Sequence, residues 1–147
     1  MNKDLEDILR GRKFKKLVDV RFSQLRKSYD LKQIEVDILY YIHMAKTKVT
    51  ASELCKNMEL NKGQVSIAMD RLETLGYIRK LPESKDKRLI HYELEKKALP
   101  LIKDIDAITN EVKESLLEGV NQEEIKLLCS IFQKLTHNMD AMINEEK

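Results

Sequence analysis

The sequence predicts a mainly α chain of about six helices interrupted by a two-stranded β-hairpin, and three observations carry this reading. Four Gly and two Pro among 147 residues are about a third of ordinary usage, too few for the turns of a many-stranded sandwich or barrel. Apolar residues recur at helical spacing along most of the chain. After Gly76 the period changes to short segments rich in β-branched and aromatic residues, the second, Leu89–Leu94, in strict alternation, which is the signature of strands. With 42% hydrophobic residues, 1–147 is one domain's worth of chain, long enough to bury a core and too short for two full domains.

The elements follow in order. Residues 4–28 carry Leu5, Ile8, Phe14, Val18, Phe22 and Leu25 and read as one long helix. Asp30-Leu31-Lys32-Gln33 has the spacing of a capping box, in which a polar cap and a residue three places on satisfy each other's amides. It is expected to open a helix bearing Ile34, Ile38, Leu39 and Ile42. Thr50-Ala51-Ser52-Glu53 opens a short helix ending near Met58. Asn61-Lys62-Gly63-Gln64 opens the next, whose Val65, Ala68, Met69, Leu72 and Leu75 share one face before Gly76 stops it.

Tyr77–Leu81 and Leu89–Leu94 then read as two antiparallel strands, with Ile90, Tyr92 and Leu94 on one face and the polar stretch Pro82–Arg88 as an exposed tip. A helix over 98–118 carries Ile102, Ile105, Ile108, Val112 and Leu116, and Gly119-Val120 turns the chain. Asn121-Gln122-Glu123-Glu124 opens the last helix. There Ile125, Leu128, Phe132, Leu135, Met139 and Met142 are spaced 3, 4, 3, 4, 3, a seam for another helix. The small middle of the chain offers little for three long flanking helices to pack on, so a second subunit is expected against Leu5, Ile8, Ile125, Leu128, Phe132, Leu135 and Met139. An intramolecular bundle is the competing reading of the same seam.

Charge narrows the partner. The net charge is only +2, yet residues 1–100 hold 22 basic and 15 acidic side chains whereas residues 101–147 hold 5 and 10. A polyanion would meet the first part. A short capped helix, a turn at Glu59-Leu60 and a second capped helix form a helix-turn-helix, a motif whose second helix can lie in a DNA major groove. Its non-core face, beginning at Asn61, holds Lys62, Gly63, Gln64, Ser66, Ile67, Asp70 and Arg71. Gln64 can bond an adenine edge, Lys62 and Ser66 can reach phosphate or base, Gly63 admits a close backbone approach, and Ile67 can meet a thymine methyl. The hairpin adds Arg79, Lys80, Lys85, Lys87 and Arg88 against Glu83 and Asp86, a local +3 on a finger able to enter a minor groove.

These residues give the chain a resemblance to the MarR-type winged helix-turn-helix regulators. It is carried by Thr50-Ala51-Ser52-Glu53-Leu54, by Asn61-Lys62-Gly63-Gln64-Val65-Ser66 through Asp70-Arg71-Leu72-Glu73, by Leu75-Gly76-Tyr77-Ile78-Arg79, and by the wing element Asp86-Lys87-Arg88. The resemblance implies a winged helix over 30–95 and helical dimerisation regions over 4–28 and 97–143. It implies that Arg88 enters the minor groove and Asp86 helps to hold it, with Lys85 and Lys87 alongside. It implies a homodimer on a pseudo-palindromic double-stranded operator, acting as a repressor released by a small effector held near Phe22, Arg26, Tyr40 and Ile42. The chain departs from the family's pattern in three places. Leu94-Glu95-Lys96-Lys97-Ala98 and Pro100 replace the usual Leu-Thr-x-x-Gly, Ile67 stands where relatives often carry a basic residue, and residues 1–29 hold no cysteine, against peroxide sensing.

Other classes find less support. His43, His91 and His137 are scattered, no phosphate-binding glycine loop occurs, and no His or Cys cluster has ligand spacing, so neither an enzyme, a cofactor nor a metal is expected. A dimeric protein-interaction module without DNA affinity and a metal-responsive regulator are the alternatives. Cys55 and Cys129, 74 positions apart, read as buried thiols. No apolar leader or membrane-length segment is present, so a soluble cytoplasmic protein is expected.

Overall fold

The computed structural model describes residues 2–82 and 89–145. They fall into two compact units, 1–112 and 113–147.

In the first unit α1 (Lys3–Arg10) begins at Asn2, whose side chain accepts from the Asp4 amide. The single helix expected over 4–28 is in fact two. Gly11, at φ 65°, ends α1 and starts α2 (Arg12–Tyr29), a left-handed step that glycine takes without a Cβ penalty. The expected cap at Asp30 is also corrected. Asp30 is the left-handed residue that closes α2, its amide donating back to the Arg26 and Lys27 carbonyls. Helix α3 (Gln33–Ala45) is capped two residues later by Lys32, whose amide donates to Glu35 Oε1 at 2.7 Å.

Strand β1 (Val49–Thr50) leads into α4 (Ala51–Met58) and α5 (Lys62–Thr74), followed by β2 (Ile78–Lys80) and β3 (His91–Leu94). The expected two-stranded hairpin is a three-stranded antiparallel sheet of order β1-β3-β2, with Val49 opposite Tyr92 and Ile78 opposite Leu94. A two-residue strand has no alternation to read, which is why β1 escaped sequence reasoning. A single 3₁₀ turn, Lys96–Ala98, precedes α6 (Leu99–Leu116), so Pro100 stands in the first turn, where its missing N–H is harmless. Ile38, Leu39, Leu54, Met69, Leu72, Ile78, Leu101 and Ile105 form the centre of the core, each almost fully buried. Burying such side chains contributes roughly 1.5–3 kcal/mol apiece.

The second unit holds α7 (Gln122–Glu145). Asn121 and Glu124 cap it reciprocally, the amide of each donating to the other's side-chain oxygen at 2.9 Å. No residue of α7 is buried. Leu128, Phe132 and Met139 are between 41% and 47% exposed, and Ile125 and Leu135 are half-buried. In the first unit Leu5 and Ile8 are likewise exposed. Cys129 is exposed and Cys55 half-buried, which corrects the expectation of two buried thiols.

Candidate nucleic-acid interface

The helix pair is built by three local signals. Thr50 Oγ1 accepts from the Glu53 amide at 3.1 Å and caps α4. Glu59 closes α4 in the left-handed region at φ 53°, and the Leu60 amide returns to the Cys55 carbonyl, which sets the turn. Asn61 Oδ1 then accepts from the Gln64 amide at 2.8 Å and caps α5. Each such cap is worth about 1 kcal/mol. At the far end the Gly76 and Tyr77 amides return to the Glu73 and Leu72 carbonyls, with Gly76 at φ 82°.

Helix α5 divides cleanly. Val65, Ala68, Met69 and Leu72 are buried, which locks the helix to the core, while Asn61, Lys62, Gly63, Gln64, Ser66, Ile67 and Asp70 are exposed. Ile67 is 67% exposed, far more than its apolar character favours. A Cβ built on Gly63 would meet only Asn61 Oδ1, at 3.5 Å, so the free protein leaves the space beside it open.

Arg71 has a different place from the one expected. Its Nη1 donates to Glu35 Oε1 and its Nη2 to the Asp30 carbonyl, both at 2.6 Å. Glu35 is 1% exposed, so the guanidinium is committed to a buried carboxylate instead of projecting from the helix. Part of the wing's positive charge is also neutralised at its base. Arg79 Nε donates to Glu93 Oε1 at 2.6 Å, and Lys80 lies 3.6 Å from Glu73. Lys85, Asp86, Lys87 and Arg88 lie outside the described residues.

A groove of about 430 Å³ runs between the starts of α4 and α5 and strand β3, lined among others by Ser52, Lys62, Ser66 and Tyr92. Ser52 and Tyr92 were not among the expected site residues. The sequence marks Ser52 only as part of the segment that opens α4, and Tyr92 as one of three residues on one face of a strand. Burial pushes the Tyr92 phenol above its ordinary 10.0.

The residues expected to hold a ligand have different surroundings. Phe22 and Ile42 belong to the core, and Tyr40 packs half-buried against it. Arg26 donates to Gln33 Oε1 at 2.7 Å and to Asp19 Oδ1 at 3.0 Å. Apolar side chains on the inner faces of α2 and α3 are drawn into the shared core, which the sequence alone could not separate from a pocket wall. Among the described residues no group of three or more His, Cys, Asp or Glu side chains could hold a metal ion, and no helix is long and apolar enough to cross a membrane.

A family model described as the MarR family matches residues 29–89, from the end of α2 to just before β3. These residues are a MarR-type winged helix. Solved structures extend the likeness beyond that span. The transcriptional regulator PA3341 is 26% identical, covers 91% of this chain with 95% of its own, and superposes with a TM-score of 0.73. Streptococcus pneumoniae FabT, solved in complex with DNA, is 22% identical over 96% of this chain and 99% of its own, with a TM-score of 0.74. The organohalide-sensing regulator RdhR-CbdbA1625, solved with 2,4-dichlorophenol, is 20% identical over 94% and 82%, with a TM-score of 0.70. At the identities of the last two the likeness is one of fold. PA3341 and RdhR-CbdbA1625 are transcriptional regulators.

Proposed function

We propose that this MarR-type chain is a sequence-specific, double-stranded-DNA-binding transcriptional regulator that works as a homodimer. The observation that carries this is the division of α5. A helix capped at Asn61 and locked by Val65, Ala68, Met69 and Leu72 turns Lys62, Gly63, Gln64, Ser66 and Ile67 outward. That face is the size and chemistry of a major-groove reader. Gln64 reads base edges, Lys62 and Ser66 take phosphate or base, and Gly63 lets the backbone come close. The groove beside it adds Ser52, next to the positive end of the α4 macrodipole, as a phosphate contact. On the wing Arg88 enters the minor groove and Asp86 steadies it, as the family resemblance implies. FabT, solved in complex with DNA, supports DNA as the partner of this fold.

The homodimer is supported by α7, a helix of 24 residues with no buried side chain and an apolar seam left open. A second copy of the same helix completes it, together with the exposed Leu5 and Ile8 of α1. Two symmetric α5 helices then address half-sites about one turn, ~34–36 Å, apart on a pseudo-palindromic operator. Repression relieved by a small effector completes the reading, and the dichlorophenol held by RdhR-CbdbA1625 supports a small-molecule input in this fold.

The test is fluorescence anisotropy of labelled duplexes, including the region upstream of the chain's own gene, over a range of salt. Saturable binding that weakens steeply with salt supports the reading. Absence of any duplex affinity at low salt would remove it.

A further inference from the structure

We infer that the two subunits are steered together by a charge match, in which the start of α2 in one copy meets residues 114–124 in the other. This rests on the homodimer reading above and names what drives the pairing. Residues 10–16, Arg-Gly-Arg-Lys-Phe-Lys-Lys, carry five positive charges and no negative one. Residues 114–124 carry four carboxylates and no basic side chain. Arg10 is held by Glu6 one turn away, but Arg12, Lys13, Lys15 and Lys16 are exposed and have no ionic partner among the described residues. Glu114, Glu118 and Glu123 are equally exposed and unpaired there.

The placement of the two clusters is the informative part. Cations gather in the first turn of α2, which contains no acidic residue, at the helix end that already carries partial positive charge. Glu114 and Glu118 sit at and just beyond the last turn of α6, the end that carries partial negative charge. Arg12, Lys13 and Lys15 therefore oppose the dipole of α2, and Glu114 and Glu118 that of α6, whereas Glu123 and Glu124 lie in the first turn of α7, where the dipole favours them. Each cluster is also flanked by uncovered apolar surface, Ile8 and Phe14 beside the basic stretch and Leu116 and Val120 beside the acidic one, all between 37% and 62% exposed. Charge rimming an apolar patch is the composition of a protein interface. A nucleic acid or an anionic membrane would satisfy the first cluster and be repelled by the second. A second copy satisfies both, and twofold symmetry makes the match twice.

The experiment is the dimer dissociation constant of the full chain, measured by fluorescence-detected sedimentation at about 50 mM and about 500 mM NaCl, salts that span the Debye length of such contacts. The wild-type dimer is expected to be roughly tenfold weaker at the higher salt. Lys13→Glu with Lys16→Glu, and separately Glu114→Lys with Glu118→Lys, weaken the homodimer because each brings like charges together. An equimolar mixture of the two variants restores wild-type affinity. Circular dichroism melts check that each variant folds, and where a reversal unfolds the chain, the neutral Lys13→Gln with Glu118→Gln must still flatten the salt dependence.

A dimer indifferent to salt and to both reversals overturns the charge match and leaves the homodimer reading standing. Reversals that weaken the dimer without recovery on mixing overturn it as well. Loss of duplex-DNA binding with an unchanged dimer assigns the basic stretch to DNA and overturns it. A wild-type chain that is monomeric at every salt overturns both readings together.

Discussion

Arg71 on α5 and Glu35 on α3 are joined by a 2.6 Å hydrogen-bonded ion pair, and the carboxylate is 1% exposed. The same Glu35 oxygen accepts from the Lys32 amide, and the same guanidinium donates to the Asp30 carbonyl. One carboxylate therefore ties the end of α2, the start of α3 and the helix that presents the proposed DNA face. Arg71→Ala leaves Glu35 buried without its cation and should cost about 2–4 kcal/mol, discounted because the arginine is partly solvated. Urea denaturation measures this. Glu35→Gln keeps an acceptor for the Lys32 amide and should cost less than Arg71→Ala. Equal losses would mean that the pair contributes packing and not charge.

Gly63 separates stability from recognition. Because an added Cβ meets only Asn61 Oδ1 at ordinary contact distance, Gly63→Ala should leave the fold intact and stabilise α5 by a few tenths to about 1 kcal/mol. Duplex affinity should fall in the same variant, because the methyl group stands between backbone and DNA. A variant with higher melting temperature and unchanged anisotropy would remove the close approach from the account.

The seam of α7 predicts an oligomeric effect. Leu128→Asp or Leu135→Asp places an unpaired carboxylate in the dimer contact, a cost of several kcal/mol. Sedimentation should show monomers at concentrations where the wild type is paired. Retention of a folded dimer would assign this face of α7 to another purpose.

Alkaline pH probes the groove beside α5. Burial holds the Tyr92 phenol neutral to higher pH than in the unfolded chain, where it titrates near 10.0. Its raised value contributes stability that is fully present below pH 10 and is lost as pH rises through the folded value. Tyr92→Phe should therefore lose less stability than the wild type between about pH 9 and 11, as read by thermal melts. Parallel curves would show that Tyr92 ionises as freely folded as unfolded.

Much of the fold was legible because its signals are local. The caps at Thr50 and Asn61, the reciprocal box at Asn121, the apolar stripe Val65 to Leu72 and the stop at Gly76 each depend on neighbours within four residues, and the structure forms all of them, though at Thr50 and Asn61 only the cap side of the box. The misreadings depend on distant partners or on backbone choice. Asp30 has cap chemistry, but α2 reaches it first and uses it as a terminator. Gly11 looks like a tolerated interior glycine until its φ of 65° divides the helix. Val49-Thr50 becomes a strand only because Tyr92 and His91 lie opposite. Arg71 reads as one more cation on a polar face, since its partner Glu35 is 36 residues away.

The most direct measurement is a footprint of the full chain on a duplex obtained by selection from random sequence, combined with the stoichiometry of the complex. Two chains per duplex, protecting two symmetric half-sites about one helical turn apart, with protection weakened by Gly63→Ala and by Arg88→Ala, is the result expected. A selection that enriches no sequence, or a single chain bound without a symmetric mate, would contradict the assignment of α5 as a paired DNA reader.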